Sequence, residues 1–183
     1  MRRREQKRAL SLREAGFTLT ELMIVLVIFA ILVAIAGPSF YNTIKENESR
    51  TQINRLMSAL NLARSNSVKT SLPAVVCASS DGATCTGVTD LASGWLVFED
   101  RNSNGALNTD ELLRVFEGLP AGYVVKNNFA NVTYYPDGSA SAASAQTVLL
   151  CPPDLDDAKA WRVVLFSSGR PSMSRPASGD CSA

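Results

Sequence analysis

The chain has 183 residues, with 18 Lys and Arg, 17 Asp and Glu, and no histidine. The lack of histidine excludes serine–histidine and cysteine–histidine nucleophile systems as well as histidine metal centres, and there is no Gly-Lys-Ser/Thr phosphate loop. The residue inventory therefore predicts a protein that is not an enzyme and that uses no cofactor and no small-molecule substrate. The paired acids Asp156-Asp157 lie in a polar Pro/Asp segment that is more simply a turn.

Residues 1–16 are strongly basic. They hold six Lys and Arg against two acids, which leaves 12 basic and 15 acidic side chains, a net charge of −3, in residues 17–183. Basic residues that precede an apolar span stay on the cytoplasmic side of a membrane. The pattern predicts a cytoplasmic N-terminus and an exported, mildly acidic remainder, which suits one small domain of ~100–150 residues.

Residues 17–40 form an apolar span that is long enough to cross a bilayer, since a spanning helix needs ~20 mostly apolar residues. Glu21 is the only charged residue in it. A carboxylate at the centre of such a helix costs about 2.5–3.5 kcal/mol, whereas an ammonium about 4 Å away contributes about 4 kcal/mol at an effective dielectric of ~20. If cleavage after Gly16 frees the Phe17 amine, that amine on a neighbouring helix is the expected partner of Glu21 and sets register during assembly.

Two other interpretations of this N-terminus remain open. An ordinary secretory signal peptide also places basic residues before an apolar stretch, and Ala34-Ile35-Ala36 resembles its small-residue cleavage site. An uncleaved single-pass anchor would have the same orientation. Against the signal peptide, ordinary export requires no carboxylate at the head of the apolar run, and the residues after Pro38 continue a helical pattern.

Residues beyond Pro38 repeat apolar side chains at i, i+3, i+4 and i+7, which is typical of an amphipathic helix. These residues are Ile53, Leu56, Met57, Leu60 and Ala63. We predict one helix from about Phe17 to about Val68, its first half in lipid or a fibre core and its second half against a sheet. Pro38 falls inside it, where the missing N–H removes the bond to the Ala34 carbonyl and kinks or loosens the helix. Leu72-Pro73 ends the helix.

The rest of the chain is rich in short β-branched and aromatic runs at close spacing, which predicts antiparallel strands. The predicted strands are Ala74–Ala78, Trp95–Glu99, Leu112–Phe116, Tyr123–Lys126, Val132–Tyr135, Gln146–Cys151 and Trp161–Phe166. Pro136-Asp137-Gly138 is a predicted turn. The Ser/Ala tract 139–145 that follows it is predicted to be a mobile loop.

The junction of leader and apolar helix resembles the prepilin signature of the type IV pilin and pseudopilin superfamily. The matching residues are Gly16, Phe17, Thr18 and Glu21. The resemblance implies that a prepilin peptidase cuts between Gly16 and Phe17 on the cytoplasmic side of the bacterial inner membrane and methylates the new amine. Pro38 falls where many members of the superfamily carry a helix proline.

The same resemblance implies an α+β type IV pilin fold. In that fold a long N-terminal helix, half transmembrane and half amphipathic, packs on an antiparallel β-sheet domain. The implied organisation is a leader peptide at 1–16, a transmembrane and assembly helix at 17–40, and an extracytoplasmic globular domain at 41–183. In that domain the amphipathic helix reaches to about residue 69 and the rest is β-rich.

Later segments resemble the GspH/FimT group of minor pilins and pseudopilins within that superfamily. They are Leu62-Ala63-Arg64-Ser65, Val75-Val76-Cys77, Gly94–Phe98 with the Asp/Asn/Gly loop after it, and Tyr135-Pro136-Asp137-Gly138. The group implies a minor pilin of a type IV pilus that helps to initiate or cap the fibre, with other pilins, prepilin peptidase and the inner membrane as partners. The alternative is a GspH-type pseudopilin of a type II secretion system.

The four cysteines, Cys77, Cys85, Cys151 and Cys181, all lie on the exported side, where disulfides are the expected state. Of the three possible connectivities, we favour Cys77 with Cys85 and Cys151 with Cys181. Each bridge contributes ~2–4 kcal/mol, chiefly by restricting the unfolded chain. Zinc is the alternative, although neither spacing resembles the short Cys pairs of structural zinc sites.

The loop after the second predicted strand fits a calcium-loop pattern. Asp100, Asn102 and Asn104 alternate before Gly105, and Glu111 occupies the twelfth position. Against calcium, the flanking segments are predicted strands and not helices, and the two Asn residues lower the ligand charge. Because Asn, Asp and Gly also form tight turns without a metal, we favour a structural loop.

The C-terminal region is a candidate for DNA binding. Some relatives are implicated in DNA uptake through a Gly-Arg-x-Arg motif, of which Gly169-Arg170 supplies the first half, with the next arginine at Arg175. A cluster of Arg162, Arg170 and Arg175, with Lys159, would contact phosphates. The alternative is a set of separate solvated arginines, because the mature chain is acidic.

Overall fold

The computed structural model describes residues 16–182 except residue 143, without the side chains of residues 37–39. Residues 1–15, most of the predicted leader, lie outside the described residues. A helix, α1 (Leu19–Thr70), is followed by the strands β1 (Ala74–Ala78), β2 (Gly94–Glu99), β3 (Leu112–Glu117), β4 (Val124–Asn127), β5 (Asn131–Tyr134), β6 (Gln146–Cys151), β7 (Trp161–Leu165) and β8 (Pro171–Ser174). The chain divides into two units between Tyr41 and Asn42.

The end of α1 is set by local chemistry. Ser71 adopts a left-handed conformation with φ 59°, and its N–H donates to the carbonyl of Ser67 at 3.0 Å. This is the common way in which a helix satisfies its last carbonyls and changes direction. Pro73 follows, so the helix has no N–H with which to continue.

The strands form two four-stranded antiparallel sheets. The first sheet has the order β3-β2-β1-β5 and the second has the order β4-β6-β7-β8. In the first sheet Val76 lies opposite Val97 on one side and Val132 on the other. In the second, Val148 lies opposite Val163. Pairs of β-branched side chains at these positions suit the pleated surface of a sheet.

The main core of the second unit lies between α1 and both sheets. It contains Ile53, Leu56, Leu60 and Ala63 from the helix, Val76, Trp95, Val97 and Val132 from the first sheet, and Val148, Leu150, Val163 and Leu165 from the second. Burial of each large apolar side chain contributes roughly 1.5–3 kcal/mol. The amphipathic half of α1 is therefore held by the sheets through its apolar face.

The first sheet is buried on both faces. On the side away from the main core, Val75, Cys77, Leu96 and Phe98 form a second cluster, against which the partly buried Cys85 and Leu107 pack from two loops. Every residue of β1 and β2 is buried as a result. The loops that carry Cys85 and Leu107 thus serve as covers for this face of the sheet.

Arg64 connects α1 to both sheets at one point. Its Nε donates to the carbonyl of Gly138 at 3.0 Å, in the turn after β5, and its Nη2 donates to the carbonyl of Ser168 at 3.5 Å, in the turn between β7 and β8. Gly169, with φ 70°, lies so close that a Cβ on it would overlap the Gly138 carbonyl oxygen. Three segments that the sequence singled out therefore meet in space.

All seven predicted strands are confirmed, and none of their ends is shifted by more than one residue. Strand β8 was missed, because Pro171-Ser172-Met173-Ser174 lacks β-branched residues and begins with proline, which is tolerated at the start of an edge strand. The prediction of one sheet domain did not anticipate two sheets. Part of the Ser/Ala tract packs against the fold, in contrast to the predicted mobile loop: Ala140 and Ala142 are buried, and Ala140 bridges Tyr134.

We predict that Gly169→Ala destabilises the protein more than Gly105→Ala does. Both glycines have nearly the same φ, 70° and 71°, so both substitutions incur the left-handed penalty of about 1–2 kcal/mol. Only the Cβ at Gly169 meets an atom within 4 Å, and such overpacking costs a further ~1–3 kcal/mol. Equal losses in urea unfolding of the two variants would contradict the close approach to Gly138.

Candidate assembly and processing site

The first half of α1 exposes its apolar side chains. Each large apolar side chain from Leu22 to Ile35 is at least 50% exposed. The helix is long and apolar enough to cross a membrane. Apolar surface on this scale requires lipid or neighbouring subunits to cover it.

Glu21 lies in the first turn of α1, where it takes part in a capping box. Its N–H donates to Oγ1 of Thr18 at 3.2 Å, and its carboxylate accepts, at 3.5 Å, from the N–H and the hydroxyl of Thr18. This reciprocal arrangement satisfies free donors at the start of a helix. The capping role of Thr18 was not predicted, although Thr-x-x-Glu directly before an apolar run is the sequence signature of a capping box.

The predicted cleavage site lies in an open segment. Gly16 precedes the helix, and a Cβ placed on it would meet no atom within 4 Å. Phe17 is 85% exposed. Packing of the described chain therefore does not require glycine at residue 16, and the Phe17 side chain is available to other molecules. Pro38, the other predicted assembly residue, lies within the α1 backbone.

The structure forms the two disulfides that we favoured from the sequence, Cys77–Cys85 and Cys151–Cys181. The second bridge connects β6 to the C-terminal tail, with Cys151 and Cys181 buried beside Leu149 and Ala160. The first bridge closes a loop whose Cys85 covers the second cluster. Both bridges thus fix segments that lack regular secondary structure.

Polar contacts also hold the C-terminal tail. The carboxylate of Asp157 accepts the N–H groups of Gly179 at 2.6 Å and Cys181 at 2.9 Å, and these bonds hold the pKa of Asp157 below its ordinary value of 3.8. Lys126 Nζ donates to the carbonyl of Asp180 at 2.9 Å. The tail is therefore part of the folded domain.

In the calcium-loop candidate, the side-chain oxygens proposed as ligands accept backbone N–H groups of the loop itself. Asp100 accepts the N–H groups of Asn104 at 3.0 Å and Gly105 at 2.9 Å, Asn104 Oδ1 accepts the Ala106 N–H at 2.8 Å, and Asn102 Oδ1 accepts the Asn104 N–H at 3.1 Å. Within the described residues, no group of three or more His, Cys, Asp and Glu side chains is placed to hold a metal ion. These bonds support the structural interpretation of the loop.

Glu111, the twelfth residue of that pattern, is buried, and both oxygens of its carboxylate also accept N–H groups of the loop. Its Oε1 accepts the N–H of Arg101 at 3.0 Å, and its Oε2 accepts the N–H of Asn108 at 2.9 Å. The carboxylate therefore joins the two ends of the loop. With Leu107 packed against the second cluster, the loop has a structural role in covering this face of the first sheet.

Two of the three arginines proposed for DNA binding are engaged by carboxylates. Arg162 pairs with Asp180. Arg175 pairs with Glu46 of α1, and its guanidinium lies 3.7 Å from the centroid of the Trp161 ring. Arg175 thus helps to hold the end of the second sheet against the helix.

The structure does not bring the three arginines together. Arg162 alternates along β7 with the core-facing Trp161 and Val163, so it points to the opposite face from Arg175, which stacks on Trp161. Arg170 and Arg175 flank the two ends of β8. Lys159 pairs with Asp154 at 2.6 Å and Asp156 at 3.1 Å. DNA binding by these arginines remains a prediction, and the structure does not place them on one surface.

An exposed apolar helix with one acid at its head, followed by a disulfide-bonded domain of antiparallel sheets, defines a subunit of the type IV pilin and pseudopilin class. The chain belongs to the family described as Type II transport protein GspH, whose model matches residues 52–169. A second match, described as a prokaryotic N-terminal methylation motif, covers residues 11–37. The predicted superfamily and group are confirmed.

Solved structures share the fold. The type IV minor pilin FimU of Pseudomonas aeruginosa is 19% identical with a TM-score of 0.54, over 70% of this chain and 89% of that chain. The minor pseudopilin EpsH from the Type 2 Secretion System of Vibrio cholerae is 12% identical with a TM-score of 0.51, over 71% and 98%. No curated protein matches the sequence. At these identities the likeness establishes the fold, and the predicted fold class is confirmed.

We predict that Asp157 makes the protein sensitive to acid. Because its pKa is depressed in the folded state, its contribution to stability is complete above about pH 4 and is lost as the pH falls through the lower folded value. Thermal unfolding between pH 7 and pH 2 should show a smaller loss of stability for Asp157→Asn than for the unmodified chain. The exposed Asp110→Asn is the control, and an acid response identical in all three proteins would refute this role.

We predict that millimolar calcium leaves the melting temperature unchanged, because the oxygens of Asp100, Asn102, Asn104 and Glu111 already accept N–H groups of their own loop. Melting curves with calcium and with a chelator measure this directly, and titration calorimetry should detect no binding heat. A rise in melting temperature that Glu111→Gln abolishes would establish the ion site instead.

Proposed function

We propose that this chain is a minor pilin of a type IV pilus, a structural subunit that helps to initiate or cap the fibre. The observation that carries the proposal is the apolar half of α1, whose large apolar side chains from Leu22 to Ile35 are at least half exposed and in which Glu21 is the single charge. A helix of this kind is stable in lipid before assembly and packed among similar helices after it. No catalytic role enters the proposal.

Processing supplies the partner for Glu21. Prepilin peptidase removes residues 1–16 on the cytoplasmic side and methylates the Phe17 amine, which stays cationic at neutral pH. Glu21 then pairs with the Phe17 amine of a neighbouring helix, an interaction of about 4 kcal/mol at 4 Å and an effective dielectric of ~20. The bonds from Thr18 to the Glu21 carboxylate are long, at 3.5 Å, so little is lost when the carboxylate turns to the amine.

The proposed topology is a single pass through the bacterial inner membrane. Residues 17–40 form the anchor, and the basic residues before them hold the N-terminus in the cytoplasm. Residues 41–183 form the extracytoplasmic domain, where an oxidising compartment sustains the two disulfides. Pro38 removes one backbone hydrogen bond from the helix near the end of the anchor, which lets the two halves adjust during extraction into the fibre.

The alternative system is a type II secretion pseudopilus. Both kinds of fibre use the same helix and the same fold. The C-terminal tail tied by Cys151–Cys181 and the Gly169-Arg170 pair favour the pilus. Identification of the pilins that co-purify with the chain distinguishes the two systems. A contribution to DNA uptake would depend on Arg170, because Arg162 and Arg175 are engaged within the domain.

We predict that Glu21→Gln blocks assembly without blocking processing. N-terminal sequencing of the variant recovered from cells should begin at Phe17, while its content in sheared fibres should fall at least about tenfold, which corresponds to ~1.4 kcal/mol. Glu48→Gln, which removes a charge from the same helix outside the apolar span, is the matched control.

Two results would overturn the proposal. One is incorporation of Glu21→Gln at the level of the unmodified chain. The other is an N-terminus at Met1 or at Gly37 in material recovered from cells, since the first means no processing and the second means cleavage as an ordinary signal peptide.

A further inference from the structure

Strand β3 is an open edge of the first sheet. It pairs with β2, and within the described part of the chain no other strand pairs with its far side. The apolar side chains of Leu112, Leu113 and Val115 on it are 45%, 38% and 43% exposed. An exposed apolar edge strand has N–H and C=O groups that can pair with a strand of another chain, and soluble proteins usually protect such edges.

An open groove of about 310 Å³ lies between this edge and the second half of α1. It is lined by Arg55 and Ser58 of the helix and by Arg114, Val115, Phe116 and Glu117 of the strand. The groove thus lies between side chains of α1 and residues of the edge strand β3.

Two guanidinium groups of the groove are held by rings and neutral acceptors. Arg55 lies 5.4 Å from the Trp95 ring centroid and donates to Gln52 Oε1 and to the carbonyl of Glu117, both at 2.7 Å. Arg114 lies 4.9 Å from the Phe116 ring centroid. Among residues 16–182, leaving aside 143, neither arginine has a carboxylate within 4.0 Å.

The charge of the groove is positive on balance. Glu117 also lines it, so two guanidinium groups face one carboxylate. The aromatic rings hold both cations in place while leaving their charge uncompensated. A ligand that brings carboxylates to Arg55 and Arg114 would therefore form charge-assisted hydrogen bonds that the free chain lacks.

We propose that this groove receives an extended acidic segment of a neighbouring pilin-class subunit, which adds as a strand to the free edge of β3. Main-chain hydrogen bonds to β3 supply affinity, and the carboxylates reach the two arginines and select the segment. A nucleic acid fits less well, because its backbone has no N–H groups at strand spacing. The inference rests on the proposed function in one respect, that the donor is another subunit of the fibre.

Site-specific photocrosslinking of the full chain in cells that assemble the fibre tests the proposal. Benzoylphenylalanine replaces Val115 at the edge of the groove, and it replaces Phe166, which is 52% exposed beyond β7, as the control. Mass spectrometry of the crosslinked peptides should place an acidic extended segment of another pilin at Val115 and not at Phe166. A crosslink from Val115 to DNA, to a helix or to a second copy of this chain would overturn the inference.

Charge variants of Arg114 provide a second readout. Arg114→Glu should lower the yield of the Val115 crosslink at least about fivefold, because like charges then meet in the groove, whereas Arg114→Lys should retain most of it. Both variants change one exposed side chain, and unchanged melting curves confirm that they fold. An equal yield from all three proteins would overturn the role of the arginine and with it the acidic donor.

A third probe separates this inference from the proposed function. Benzoylphenylalanine at Leu26, in the exposed apolar half of α1, reports whether the chain lies among pilin helices at all. Crosslinks to pilins at Leu26 but not at Val115 would refute only the docking of a strand. Absence of pilin crosslinks at both positions would refute the fibre subunit itself.

Discussion

The apolar surface of the first half of α1 is the constraint on which the rest of the molecule depends. Each large apolar residue from Leu22 to Ile35 is at least half exposed. Each such residue gains roughly 1.5–3 kcal/mol when it leaves water, so the helix is stable only in lipid or among similar helices. The second half of α1 meets the same requirement inside its own chain, where two sheets bury the stripe that begins at Ile53.

Much of the fold followed from periodicity. The spacing of Ile53, Leu56 and Leu60 marks the buried stripe of the helix, and the β-branched runs mark seven of the strands. Strand β8 and the division into two sheets could not be predicted, because both depend on pairings between distant segments. Val163 opposite Met173 is such a pairing, and the residues Pro171–Ser174 alone do not predict that they pair with β7.

The functional residues also fall into two groups, those that local sequence predicts and those that depend on distant contacts. Residues whose chemistry is local, such as Gly16, Phe17 and Glu21, could be proposed from one stretch of sequence, and so could the capping role of Thr18. The three arginines could not be judged in that way. Whether they share a surface depends on which face of β7 each one occupies and on partners as distant in sequence as Glu46 and Asp180.

The junction at Arg64 has an evolutionary consequence. One guanidinium bonds to the turns that follow β5 and β7, and the two turns touch so closely that a Cβ on Gly169 would overlap the carbonyl oxygen of Gly138. A side chain on Gly169 would displace the Gly138 carbonyl that Arg64 binds, and loss of Arg64 would leave that carbonyl without this donor. Gly138 itself has φ 79°, which favours glycine there. Arg64, Gly138 and Gly169 should therefore vary together among related chains. A chain that keeps only one of them should pack the turn after β5 differently against the turn between β7 and β8.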